Sequence, residues 1–178
     1  MSRTLAMILL AGTLAAACTP GRIDRVGVDS SYPAWQYHRV PYTRAMKLDI
    51  SGNPFGIEQE AFNRIVSEAV QPRGLVATDS SPYRVHLAFG PSSTGRNIAC
   101  RAQGAPAPAG GEIRLVAALC PGNGPALTYL TGSIAGVTGP DDPRFAQFMR
   151  NAVVRLFPRP SNDDRPDWHH DPCVFPNC

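Results

Sequence analysis

From Ala45 onward the apolar positions of this chain switch between a spacing of two and a spacing of three to four. Met46, Leu48 and Ile50 alternate with Lys47 and Asp49, the period of a strand with one buried face. Gly52-Asn53-Pro54 interrupts that alternation. Ile57, Ala61, Phe62, Ile65, Val66, Ala69 and Val70 then recur at helical spacing, which predicts an amphipathic helix that stops before Pro72. Glu58 and Glu60 fall in its first turn, where the helix dipole favours anions. Two positions apart they point to different faces, which argues against a paired acid/base role.

Alternation resumes in YRVHLAFG, with Tyr83, Val85, Leu87 and Phe89 on one face and Arg84, His86 and Ala88 on the other. His86 is thereby expected on a solvated face. GEIRLVAALC, residues 111–120, is more evenly apolar and reads as a more central strand. ALTYLTGSIAGV, residues 126–137, is a further strand whose Gly132 and Gly136 suggest a bulge or a closely approached backbone. In DDPRFAQFMRNAVVRLF, Asp141 or Asp142 caps a helix and Pro143 occupies its first turn. Phe145, Phe148, Met149, Ala152, Val153 and Leu156 form its apolar stripe, and Pro158 ends it.

The order strand, helix, strand, strand, strand, helix defines an α+β fold. Two amphipathic helices need a surface on which to bury one face each. The expectation is a two-layer sandwich: an antiparallel sheet of three to four strands with both helices on one face.

The apolar run LAMILLAGTLAAAC follows Arg3 and stops at Cys18. A positive start, an apolar centre and small residues before the break are the layout of a secretory signal. From Leu5 to Ala17 the run is shorter than the ~20 residues a helix needs to cross the hydrocarbon core. Leu14-Ala15-Ala16-Ala17-Cys18 resembles the lipobox of bacterial lipoproteins, with Ala15 standing where Leu is commonest. The resemblance implies a signal peptide over residues 1–17 and diacylglycerol on Cys18; a plain signal peptide followed by a chance cysteine is the competing reading. Thr19, where an Asp favours retention at the inner membrane, implies the periplasmic face of the outer membrane. GNPFG and VTGPDD resemble stretches of uncharacterised alphaproteobacterial lipoproteins with a small periplasmic domain. That likeness covers most of residues 45–158 and implies no particular activity.

The expected organisation is a signal peptide (1–17), a tether and extended aromatic segment (18–44), one α+β domain (45–158) and a Pro-rich, Cys-containing tail (159–178). In the second segment the first part reads as a flexible tether. The half carrying Tyr32, Trp35, Tyr37 and Tyr42 is expected to lie against the domain, with a short strand near Gln36–Val40.

Apart from Cys18 the cysteines are Cys100, Cys120, Cys173 and Cys178, an even number that suits an oxidising compartment. Three connectivities remain open; proximity favours Cys100–Cys120 and Cys173–Cys178. A metal reading of HHDPCVFPNC, with His169, His170, Cys173 and Cys178, fits none of the common zinc spacings, so neither a metal nor another cofactor is expected. A net charge of +3 without a basic run leaves no electrostatic footprint for nucleic acid.

TGSIAG has Thr131 where a nucleophile elbow needs Gly. GPSSTGRN lacks the ending of a phosphate loop. The chain therefore reads as a non-catalytic accessory protein docking on an envelope partner. The alternative is a small-molecule or lipid binder using a groove between the sheet and the N-terminal segment. Residues 91–111 exceed a tight hairpin and are expected to have an ordered base, tied by Cys100–Cys120, and a mobile tip. Arg96 and Arg101 are its candidate polar contacts for a partner.

Overall fold

The structure is a computed structural model that describes residues 21–29, 45–71, 76–77, 81–106, 111–122 and 124–157. Its elements are β1 (Arg22–Val28), β2 (Ala45–Ser51), α1 (Gln59–Val70), β3 (Val76–Ala77), β4 (Tyr83–Phe89), α2 (Arg96–Ala99), β5 (Ile113–Pro121), β6 (Thr128–Ile134) and α3 (Pro143–Leu156). The strands lie in the order β1-β6-β5-β4-β2-β3. Neighbours from β1 to β4 pair antiparallel, whereas β2 runs parallel to β4 and to the two-residue β3.

The fold is α+β as expected, but the sheet is mixed and larger than the three to four antiparallel strands predicted. The parallel edge has a simple cause. β2 is followed by α1 before the chain re-enters the sheet, and a helix-containing crossover delivers the next strand in the same direction. Gly52 makes the exit from β2 feasible: its φ is +82°, and a Cβ there would lie 2.5 Å from the carbonyl oxygen of Phe89. Asn53 shapes the following turn, its Oδ1 accepting from the Phe55 N–H at 3.1 Å.

The second correction concerns residues 22–28, read from the sequence as part of a tether. They form edge strand β1, paired with β6 from Arg22↔Ser133 to Val28↔Thr128. A register shift between Ile23 and Arg25 breaks the period of two, and Arg22, Asp24, Arg25, Val26 and Val28 are all exposed. A bulged edge strand facing water on one side carries little of the alternation that identifies a strand. The short strand expected near Gln36–Val40, the tail and its cysteines lie outside the described residues.

Both long helices cover one face of the sheet. Phe62, Val66, Ala69 and Val70 of α1 are buried with Val85, Leu87 and Phe89 of β4, and with Ile113, Leu115, Ala117 and Leu119 of β5. The whole predicted stripe of α3, from Phe145 to Leu156, is buried in the same cluster. Four phenylalanines stitch the helices to the sheet: Phe55 meets Phe145 edge-on at 5.1 Å, and Phe62 meets Phe89 at 5.0 Å.

Asp142, not Asp141, caps α3, its Oδ1 accepting from the Arg144 N–H at 2.9 Å. Pro143 takes the first helical position, where no N–H is required. The Arg144 guanidinium, and then its backbone N–H, hold the Asp142 carboxyl down to about 2.

Phe62 and Phe148 are fully buried in the centre of this layer. Truncating either to Ala is expected to cost about 3–5 kcal/mol, read as a lowered denaturation midpoint. A carboxyl with a lowered folded value stabilises the fold above its ordinary value and loses that contribution as it protonates. For Asp142 the contribution is complete above 3.8 and fades as pH falls through about 2. An NMR titration should place its midpoint there, and Arg144→Ala should raise it.

Candidate functional site

The buried apolar side chains on the second face of the sheet are small: Ala88 of β4, Val116, Ala118 and Cys120 of β5, and Ala126 just before β6. Such a surface leaves room for another backbone to lie close. Residues 95–106 fill it as a strap, burying Ala99, Cys100 and Ala102 against those residues. This is the base of the 91–111 loop, ordered as the sequence suggested. Residues 107–110, which include the tip, lie outside the described residues.

A disulfide and a set of hydrogen bonds fasten the strap. Cys100 and Cys120 form a disulfide with Cα atoms 5.8 Å apart, the pairing that proximity favoured. Arg84 donates from Nη2 to the Cys100 carbonyl at 2.8 Å. His86 reaches the Ala102 carbonyl through Nε2 at 2.8 Å and Asp49 Oδ2 through Nδ1 at 2.9 Å. The Gly104 N–H donates to Ser51 Oγ, and the Ala105 N–H to the Phe89 carbonyl, each at 2.8 Å.

His86 corrects the sequence reading. It was expected on a solvated face, yet only 3 % of its surface is exposed. The alternation assigned its face correctly; the cover over that face comes from residues further along the chain. Register pairing Asp49↔His86 across the parallel β2–β4 contact sets the carboxylate beside the ring. The imidazole thus lies between two oxygen atoms, Asp49 Oδ2 and the Ala102 carbonyl. An Asp–His pair can orient a general base when the distal nitrogen faces a nucleophile. Here that nitrogen faces a backbone carbonyl, so the pair serves to hold the strap.

The two candidate docking residues part company. Arg96 pairs through Nη2 with Asp29, a buried carboxylate at the end of β1, which ties the strap's first turn to the sheet edge. Arg101 is exposed on the strap's outer side. The structure brings Arg96 to Asp29, not to Arg101. The sequence signal that could have exposed this face was the apolar set Ala88, Val116, Ala118 and Cys120 at the "outward" positions of β4 and β5, where a solvated face would be polar.

No protein-family model and no curated protein sequence matches the chain. Among solved structures, the PelC dodecamer from Paraburkholderia phytofirmans in space group P6 overlaps at 12% identity and a TM-score of 0.42, over 79% of this chain and 99% of that one. A leucine-to-methionine variant of it in space group C2 overlaps at 11% identity and a TM-score of 0.42, over 78% and 99%.

Non-reducing peptide mapping should recover Cys100 and Cys120 in one linked peptide; free thiols at both positions would remove the tether. His86→Ala, which strands the buried Ala102 carbonyl, should destabilise the fold by about 1–3 kcal/mol. It should also speed tryptic cleavage after Arg101 relative to cleavage elsewhere.

Proposed function

We propose that the chain is a bacterial envelope lipoprotein, anchored through lipid on Cys18 and facing the periplasm from the outer membrane, whose domain docks on an envelope partner without catalysing a reaction. The observation that carries this reading is the lipobox-like Leu14-Ala15-Ala16-Ala17-Cys18 closing an apolar run too short to span a bilayer. The Cys100–Cys120 disulfide supports it, since such bonds persist in oxidising compartments such as the bacterial periplasm. Two or more acyl chains on one cysteine hold a protein on a membrane, where a single chain binds reversibly. Arg101 is the exposed polar contact that the strap offers a partner; Arg96 serves the strap itself.

Binding of a small molecule or lipid is the second reading, and one feature favours it. An open groove of about 420 Å³ runs between β1 and α3, lined by Ile23, Val26, Asn151, Val154 and Arg155 among others. Val26 and Val154 are among the exposed large apolar side chains. Extracting the purified Cys18→Ser variant and analysing the extract for lipid by mass spectrometry separates the readings.

Cells fed an alkyne fatty acid should label the wild-type protein and leave Cys18→Ser unlabelled. The labelled protein should fractionate with outer membranes, while the variant appears in the soluble periplasm. Equal labelling of the two would overturn the anchor.

A further inference from the structure

The proposed anchor and the folded domain are separated by almost no chain. Gly21 already packs on the domain: a Cβ at that position would collide with the Phe148 ring, a buried residue of α3. Pairing with β6 begins one residue later, at Arg22↔Ser133. Only Thr19 and Pro20 stand between Cys18 and Gly21, so the anchor lies within about 11 Å of a fixed point on the domain. Acyl chains on Cys18 would keep its backbone at the headgroup level, a layer several ångströms thick beyond the hydrocarbon. A domain held that closely has little freedom to turn.

The end of the sheet next to Gly21 carries a matching row of side chains. Arg22, Ser133 and Arg114 are successive register partners across β1, β6 and β5, which sets the two arginines about 10 Å apart. They line one groove of about 260 Å³ together with Asp24, Pro91, Glu112 and Thr131, among others. Arg114 is exposed, and Arg22 is 75% exposed with Asp24 as its ion-pair partner. An exposed pair of that kind is weak, whereas a guanidinium bonds phosphate oxygens in parallel, charge-assisted pairs.

Resting on the lipid anchor of the preceding section, we infer that the short Thr19-Pro20 link holds the domain flush on the bilayer, with the Arg22–Ser133–Arg114 row against headgroup phosphates. The opposite end of the sheet, where β1 finishes at Val28, then points into the periplasm about 20 Å further out. Asp24 and Glu112 offset the two arginines, so the row sets the pose and the acyl chains supply the retention.

The test uses full-length lipidated protein in vesicles of phosphatidylethanolamine and phosphatidylglycerol carrying a headgroup-nitroxide lipid. A fluorophore is placed at Glu112→Cys, beside the row and exposed, or at Val28→Cys, with Cys173 and Cys178 replaced by Ser and the Cys100–Cys120 bond intact. Quenching should be several-fold stronger at position 112 than at 28, and a long Gly-Ser insert between Pro20 and Gly21 should abolish the difference. Equal quenching in protein that mass spectrometry shows to be lipidated overturns the flush pose while leaving the anchor standing. A difference that the insert leaves unchanged overturns the short link as its cause. Absence of lipid on the protein overturns the anchor reading, and this inference with it.

Discussion

Burial of β5 on both faces is the constraint around which the rest of the fold is arranged. Between Leu115 and Cys120 every residue of this strand is buried, so neither side of the sheet centre can be left to water. Apolar area removed from solvent contributes roughly 25 cal/mol per Å², and the two faces achieve it with different covers. Leu115, Ala117 and Leu119 meet α1 and α3, whose long side chains fill the space between layers. Val116, Ala118 and Cys120 meet a strap that contributes only the small side chains of Ala99, Cys100 and Ala102. Helices need depth and large residues; a strap needs a shallow, small-residue floor.

A strap brings a difficulty that a long helix does not, because beyond the single turn of α2 its peptide groups find no partners within the strap itself. Buried N–H and C=O groups left unpaired are costly, and the polar residues of the second face answer that need. Arg84, His86 and Ser51 reach the peptide groups of Cys100, Ala102 and Gly104, and Asp49 backs the imidazole. The disulfide adds a covalent tie that shortens the loop in the unfolded chain. An arrangement resembling part of a catalytic constellation is thus accounted for by the hydrogen-bonding demands of the segment above it.

The sheet also has an edge to protect. Among the described residues β1 pairs with β6 alone, and an outer side left so would offer peptide groups to another strand. A register irregularity near Ile23 and the exposed charges Arg22, Asp24 and Arg25 make that side a poor template. Gly27 fits beneath the Tyr129 ring, where a Cβ would collide. Arg96 on the strap pairs with the buried Asp29 just past the strand, so this edge is fastened to the second face as well as to its neighbour.

Much of this was legible in the sequence alone. The stripe from Phe145 to Leu156, the face led by Phe62, and the alternation in β2 and β4 each depend on residues close in sequence, where side-chain period and backbone geometry are directly coupled. Proximity likewise favoured Cys100–Cys120, because a pair bracketing one local loop is easily brought together. Three features were settled only by tertiary structure. β1 is held by a partner more than a hundred positions away and faces water, so it keeps no alternation to read. The parallel pairing of β2 with β4 follows from how the α1 crossover returns the chain, a matter of topology that composition does not encode. His86 lies on the face its period assigns, yet whether that face is wet or dry depends on where residues 95–106 are laid down. Period places a side chain on one side of a strand; only the packing of distant segments decides what covers that side.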